Sequence, residues 1–300
     1  MVYAPKSEQI ALCEDLADLY PSIIQSEVIG HTVLNQSIRM YRIGNPLGGK
    51  VMFDGQIHGG SDLSTWVLYY YARWLAESND PVANSILQKN CTLIIPIINV
   101  DMDTRKNARG GSYATGVDLN RNFVYNWSSA GSSVPSDDYY RGPSPASEPE
   151  TQAMISVLNA EKPKFHINLH NWGGPWIGSY SPDAQKRAYN ESVYAKVVAL
   201  AQQMGVYAYP YSSYSSLQAG MEVSDSYNIG IPSVWLNELV KISDYPTQRP
   251  PFSEIESLYF PRFRVTAITL SNETVPVVTQ KYVFDHWQDG DTNPVKIITV

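Results

Sequence analysis

The chain has 300 residues, enough for one large α/β domain with a small additional piece. It is 43% hydrophobic, which can supply a sizeable core, and its formal net charge of −7 comes without a basic block of the kind that binds nucleic acid. We therefore expect no nucleic-acid binding. The longest apolar runs are too short to span a bilayer, so we expect no membrane span either. Residues 1–6 lack the apolar centre of a signal peptide.

The first part of the chain alternates predicted helices with predicted strands. Apolar residues at helical spacing predict helices over residues 7–19 and 63–76. Alternating apolar residues predict strands over 38–43 and 51–57, joined by a link rich in turn residues. The wholly apolar run 92–98 is typical of a strand inside a sheet that is covered on both faces.

The second part continues the α/β pattern after a long surface loop, which the Ser, Gly and Pro content of residues 125–145 predicts. Residues 147–150 resemble a capping box that opens a helix ending at residue 160. Helical spacing predicts a long helix over 183–204 and a final helix over 251–270, interrupted near Pro261.

The character of the chain changes near residue 272, where alternating β-formers begin. We therefore predict a catalytic domain over residues 1–271 and a β-rich tail or truncated accessory module over 272–300. A tail of this kind favours an extracellular or secreted protein, with an intracellular one left open. Cys13 and Cys91 are predicted to be free buried thiols, although their spacing leaves a disulfide possible.

Polar residues with catalytic chemistry stand where predicted strands give way to loops. His58 follows the strand over 51–57, His170 ends the run 165–170, and Glu238 ends an apolar run that begins at residue 232. Ligands of open α/β sheets bind beyond the carboxyl ends of the strands. The sequence therefore predicts that these three side chains share one site.

The run over residues 116–123 places Asn120 beside Arg121. A neutral donor next to a rigid, forked guanidinium can hold a carboxylate by two or more hydrogen bonds. Alone, the same run also fits a strand end with a structural arginine. The surrounding strand-end residues favour the carboxylate-binding interpretation.

Taken in order, these residues resemble the zinc metallocarboxypeptidases of the A and B type over roughly residues 3–270. The resemblance implies an α/β fold with a mixed, mostly parallel twisted sheet and helices on both faces, and it implies bound Zn²⁺. It also implies individual roles: zinc ligation by His58 and His170, polarisation of the scissile carbonyl by Arg105, binding of the terminal carboxylate by Asn120 and Arg121, a cover over that carboxylate from Tyr214, a side-chain pocket floor at Val223, and base catalysis by Glu238.

One position departs from the family pattern His-x-x-Glu, in which the glutamate is the second zinc ligand. Ser61 stands at that position, and Asp62 follows it. Zinc sites in proteins use Cys, His, Asp and Glu, so we predict Asp62 as the third ligand with His58 and His170. The alternatives are that Asp62 is a helix N-terminal charge, or that zinc is weakly held or absent.

Several other assignments have rivals. Arg109 competes with Arg105 for the carbonyl-polarising role, and His166 lies on the strand face of His170 but is expected to be a core residue. Counting back from Glu238 places Ser216 where the family has its mobile tyrosine, with Tyr214 as the nearby substitute. A shift of one or two residues would replace Val223 in the pocket by Glu222 or Asp225 and change the preference from apolar to basic side chains.

The resemblance thus implies a hydrolase that removes C-terminal residues from peptides or proteins. Zinc-activated water would be the nucleophile, Glu238 would move its proton, and Asp118 would fix the tautomer of a ligand histidine. Three alternatives remain open: a zinc amidase or deacylase, a pseudo-peptidase that binds peptide C-termini without cutting them, and a surface adhesion protein.

Overall fold

The computed structural model describes residues 4–241, 250 and 252–274. Within this part of the chain, eight strands form one sheet in the order β1-β2-β4-β3-β5-β8-β6-β7. The strands are β1 (Ile24–His31), β2 (Ser37–Gly44), β3 (Gly49–Asp54), β4 (Asn90–Ile95), β5 (Phe165–Trp172), β6 (Trp176–Tyr180), β7 (Tyr211–Tyr214) and β8 (Ser233–Lys241).

The helices lie between and after these strands. They are α1 (Lys6–Leu19), α2 (Asp62–Glu77), α3 (Pro81–Lys89), α4 (Pro149–Glu161), α5 (Ala184–Gln203), α6 (Glu222–Asn228), α7 (Phe252–Glu254) and α8 (Phe260–Asn272), with a π-helical turn at Ile255–Tyr259 between the last two. No helix of the described residues is long and apolar enough to cross a membrane.

The four central strands β4, β3, β5 and β8 run parallel to one another. Strand β2 pairs antiparallel with both β1 and β4, and β6 pairs antiparallel with β8 and parallel with β7. The carboxyl ends of the central strands therefore meet at one edge of the sheet. This confirms the predicted mixed, mostly parallel sheet and explains why residues distant in sequence converge there.

Strand β3 shows how the sheet is covered on both faces. Val51 and Phe53 pack with apolar residues of α2 and α8, whereas Met52 faces the opposite side and packs with α4. All three side chains are fully buried. This alternation is the period of two expected for a strand, and it confirms the predicted layer of helices on each face.

The loop between β3 and α2 turns sharply. The Ser61 N–H donates to the His58 carbonyl oxygen at 2.9 Å, and Ser61 is the N-cap of α2. A Cβ on Gly59 would lie 1.6 Å from the Met102 carbonyl oxygen, so only glycine fits this approach. The tight turn fixes His58 directly above the start of α2.

Some predicted boundaries shift. Strand β3 ends at Asp54 and not at residue 57, because the chain turns through Gln56, whose φ is 46°. The predicted capping box is wrong: Glu148 is the N-cap of α4 and makes no side-chain cap bond. Its buried carboxylate instead accepts hydrogen bonds from Asn107 and Arg109. The predicted β-rich tail begins at residue 272, and all but its first three residues lie outside the described part of the chain.

Candidate active site

His58 and His170 stand side by side at the carboxyl edge of the sheet. Their ring centroids are 5.1 Å apart at an interplanar angle of 71°. His170 belongs to β5 and is opposite Glu238 of β8 in the strand register. The structure thus brings together the three strand-end residues that the sequence singles out.

Both imidazoles have one ring nitrogen tied to an oxygen acceptor. His58 Nε2 lies 3.1 Å from Asp118 Oδ1, and His170 Nε2 contacts Asn168 Oδ1. Because these oxygens accept, each Nε2 carries the proton of a neutral ring, which leaves the lone pair on Nδ1. Outer partners of this kind fix the tautomer of metal-ligating histidines. The two Nδ1 atoms are therefore the available ligand atoms.

The two rings are held in the neutral form that metal binding requires. Burial lowers the pKa of His58, and this outweighs the opposing effect of Asp118. Burial also lowers the pKa of His170 well below its ordinary value, and His58 and Arg105 act in the same direction. Neither imidazole needs to lose a proton at neutral pH before it can coordinate a cation.

Asp118 joins His58 to Arg105. Arg105 Nη1 donates to Asp118 Oδ2 at 2.8 Å, and the carboxylate is fully buried. Burial opposes ionisation of Asp118, but His58 and Arg105 together hold its pKa well below the usual range. Asp118 is therefore an anion that orients the imidazole of His58 and the guanidinium of Arg105 at once.

Ser61 and Asp62 are both buried at the start of α2. The Asp62 carboxylate acts electrostatically on Lys6, whose pKa burial lowers to about 8 against the raising effects of Asp103 and Asp62. Among the described residues, the ligand atoms of Asp62, His58 and His170 do not all lie within 4.8 Å of one another. In this conformation the predicted third ligand therefore does not complete a compact ligand set.

Glu238 projects from β8 towards the loop after β5. The Gly173 N–H donates to Glu238 Oε2 at 2.9 Å, and a Cβ at residue 173 would lie 2.5 Å from Glu238 Cδ. Burial raises the pKa of Glu238 to about 7, against the lowering effects of the Gly173 N–H and of Arg105. A carboxyl group with that pKa can accept and return a proton near neutral pH.

Asn120 and Arg121 form one 3₁₀ turn with Leu119. The Asn120 side chain accepts from the Glu222 N–H at 3.0 Å, and its Nδ2 lies 3.5 Å from His170 Nε2. Arg121 Nη1 donates to the Asn120 carbonyl oxygen at 2.6 Å. The structure thus places the predicted carboxylate-binding pair next to His170.

Tyr139 was not found by sequence reasoning. The guanidinium carbon of Arg105 lies 4.6 Å from the centroid of its ring, and that of Arg121 lies 5.5 Å from it. Tyr139 is 47% exposed, so its ring contacts both cations at the surface of the site. Nothing in the Ser- and Gly-rich loop marked this tyrosine, because its role depends on two arginines from other segments.

The remaining predicted residues occupy different surroundings. Tyr214 of β7 is stacked on Tyr180 at 4.7 Å between centroids, and Val223 of α6 is fully buried in the apolar cluster that includes Tyr180. Arg109, the rival of Arg105, pairs with Glu148 at 2.7 Å. His166 is fully buried, as expected, but its two ring nitrogens contact Asp54 and Ser226, so its surroundings are not apolar alone.

The fold and the paired histidines at the carboxyl edge of its sheet are those of an α/β protein with a candidate metal site. Residues 10–235 match the family model described as zinc carboxypeptidase. Because the match spans most of the chain, the protein belongs to the zinc carboxypeptidase family.

Curated relatives agree with that membership. The chain is 30% identical over 160 residues to a metallocarboxypeptidase A-like protein of Trichophyton verrucosum, covering 48% of this chain and 37% of the relative. It is 26% identical over 248 residues to human carboxypeptidase A6, covering 73% and 56%. The chain therefore spans about half the length of the curated relatives that it matches.

The fold itself is similar to that of thrombin-activatable fibrinolysis inhibitor, with a TM-score of 0.78 at 21% identity and coverage of 90% of this chain and 76% of that chain. It is also similar to carboxypeptidase A from Helicoverpa armigera, with a TM-score of 0.71 at 19% identity, covering 90% and 74%.

The zinc that this family implies suits part of the site. The two neutral imidazoles, each with Nε2 tied back and Nδ1 open, are the nitrogen ligands that zinc prefers. The third ligand position differs from the family, because Ser61 replaces the usual glutamate.

Proposed function

We propose that this chain hydrolyses the C-terminal peptide bond of peptides, using a zinc ion held by His58 and His170. The observation that carries the proposal is the orientation of both imidazoles by Asp118 and Asn168. Bound zinc would supply a water with a pKa near 7 and polarise the scissile carbonyl. We keep Asp62 as the proposed third ligand, which requires its carboxylate to turn towards the two histidines.

The residues of the chain divide the remaining work. Glu238 would take a proton from the attacking water and return it to the leaving amine, since its pKa lies near 7. Arg105, held by Asp118, would stabilise the negative charge that develops on the carbonyl oxygen. Asn120 and Arg121 would bind the terminal carboxylate, which makes the enzyme an exopeptidase.

Binding of the peptide side chain would involve Tyr214 and Val223. Val223 belongs to an apolar cluster with Leu236 and Ile231, and this supports a preference for an apolar terminal residue. Glu222, the rival that would favour basic residues, is fully buried and accepts a hydrogen bond from Asn168. An extracellular setting remains a prediction of the β-rich tail.

A second candidate is a pseudo-peptidase that binds peptide C-termini without cutting them. It is favoured by Ser61 at the position of the usual glutamate and by the action of Asp62 on Lys6. In that case Asn120, Arg121 and Arg105 would still recognise a carboxylate, since none of them depends on zinc.

The two candidates are separated by incubating the zinc-reconstituted protein with a peptide that ends in a free carboxylate and following its mass. Loss of one C-terminal residue supports the exopeptidase, with Glu238→Gln as the inactive control. Calorimetric binding of the same peptide without cleavage supports the pseudo-peptidase. If the peptide is neither bound nor cleaved, both candidate functions are refuted.

A further inference from the structure

A second histidine site lies beneath the first. It consists of Asp54 at the end of β3, His166 of β5 and Glu222 of α6, which we call the buried triad. All three side chains are fully buried. Their ligand atoms lie within 4.8 Å of one another, and in the described part of the chain they are the one such group of three.

The tautomer of His166 follows from its hydrogen bonds. Ser226 Oγ donates to the Glu222 carbonyl oxygen at 2.8 Å, which uses its proton because a carbonyl cannot donate. The same oxygen lies 2.9 Å from His166 Nδ1 and must therefore accept from it. His166 Nδ1 carries a proton, and the lone pair of the neutral ring is on Nε2, which faces Asp54 and Glu222.

Asn168 orients both carboxylates of the triad by donating a hydrogen bond to one oxygen of each. Its amide Nδ2 donates to Asp54 Oδ1 and to Glu222 Oε2, the second at 3.1 Å. The other oxygens, Asp54 Oδ2 and Glu222 Oε1, then face His166 Nε2, with Glu222 Oε1 at 3.6 Å. Glu222 Oε1 has no hydrogen-bond partner although the whole side chain is buried.

Three atoms with lone pairs therefore point at one another in the core. Buried anions are strongly unfavourable unless a cation compensates them. Burial raises the pKa of Glu222 well above its ordinary value, and the neighbouring acids Asp54 and Asp225 and the close contact with the Asp54 carboxyl group act in the same direction. One proton shared by the triad would leave one net negative charge, whereas a divalent cation would neutralise both carboxylates.

We propose that the buried triad is a structural metal site that binds a divalent first-row transition-metal ion through Asp54 Oδ2, His166 Nε2 and Glu222 Oε1. One imidazole nitrogen and two carboxylate oxygens suit Zn²⁺ and Mn²⁺. The ion would join β3, β5 and α6. Through Asn168, which also contacts His170, the same ion would hold that histidine in place.

The test measures metal content in a variant that lacks the histidine pair of the proposed active site. His58→Ala with His170→Ala is loaded with Zn²⁺, dialysed and analysed by mass spectrometry of the metal. We expect about one equivalent of zinc to remain. Adding Glu222→Gln, which keeps the shape and an acceptor for Asn168, should reduce it to under a tenth of an equivalent.

Asp225→Asn in the same background is the matched control. Asp225 is a buried carboxylate on the same helix, but it accepts from the Tyr125 N–H and lies outside the triad. This control should retain the zinc. Less than a tenth of an equivalent in the double variant, or equal zinc with and without Glu222→Gln, would overturn the proposal and leave a proton shared within the triad.

A second measurement covers a variant that fails to fold. In the otherwise unchanged protein, a chelator should lower the melting temperature and Zn²⁺ or Co²⁺ should restore it, whereas in Glu222→Gln both shifts should be clearly smaller; equal shifts in the two proteins would contradict the site. Co²⁺ bound in the double variant should show d–d absorption, and its absence would contradict the site. The further inference rests on different measurements from the proposed peptidase function: if the protein cleaves no peptide, the metal content and the Co²⁺ absorption of the buried triad should still be observed.

Discussion

The histidine pair of the candidate active site, His58 and His170, and the buried triad both contain histidine, but their rings present opposite nitrogen atoms. In the pair, Nε2 of each ring is tied to Asp118 or Asn168, and the nearby acid is matched by Arg105. In the triad, Nδ1 is the tied nitrogen, and Nε2 faces two carboxylates whose charged neighbours are acidic. The hydrogen-bond partner of a histidine, and not its presence alone, decides which atom can do chemistry.

The largest expected effect is the loss of turnover in Glu238→Gln, a variant that should fold normally. Glu238→Gln should lower kcat by roughly a hundredfold or more, because the variant cannot take a proton from water. Steady-state kinetics on the free-acid peptide measure this, with circular dichroism to show intact folding. Near-normal turnover would remove Glu238 from the mechanism and leave the pair of histidines without a base.

The third ligand is tested by metal titration. Asp62→Ala should lose affinity for the catalytic zinc sharply, whereas Ser61→Ala should be nearly silent, because a neutral hydroxyl is a poor ligand and a carboxylate is a good one. Glu222→Gln should be introduced in all samples, so that the buried triad does not contribute metal. Unchanged affinity in Asp62→Ala would mean that water or another group completes the site. Ser61→Glu should restore affinity in that background.

Recognition of the terminal carboxylate should have an effect of about tenfold to a hundredfold. A peptide amide lacks the negative charge and the second acceptor oxygen of a carboxylate, so it loses the ionic contact with Asn120 and Arg121, which contributes about 1.5–3 kcal/mol in total. The ratio of kcat/KM for acid and amide forms of one peptide measures the loss. Equal values for the two forms would indicate an endopeptidase or amidase.

The pH profile of kcat/KM should fall on its acidic side because Glu238 becomes protonated there. Burial raises its pKa to about 7, so the carboxyl group gains a proton as the pH falls through that value and ceases to act as a base. At pH 6, kcat/KM should be about tenfold below its plateau. Measuring the profile from pH 5 to 9 tests this, and a flat profile below pH 7 would contradict it.

The smallest effect concerns Tyr139, which lies against Arg105 and Arg121. Tyr139→Leu should lower kcat/KM by a factor of about two to five, the value of a cation–π contact of 0.5–1 kcal/mol at an exposed site. Tyr139→Phe, which keeps the ring, is the control and should match the parent. A similar loss in both variants would implicate the hydroxyl group instead.

Much of the fold was predictable because its signals are local. Periodicity predicted the helix over residues 63–76 and the apolar strand over 92–98, which the structure has as Asp62–Glu77 and Asn90–Ile95. Short elements escaped, among them α3, β6 and α6. The capping box over residues 147–150 misled because Glu148 found better partners in Asn107 and Arg109 than in its own helix.

The sequence by itself determined the family, the order of the strand-end residues and the pairing of Asn120 with Arg121, since these are properties of residue type and spacing. Only the tertiary structure decided which histidine nitrogen is tied back, where Asp62 acts, and that His166 meets Asp54 and Glu222. Those contacts join residues up to 168 positions apart, between Asp54 and Glu222. Burial and hydrogen-bond geometry set their chemistry, and neither can be read from spacing along one strand.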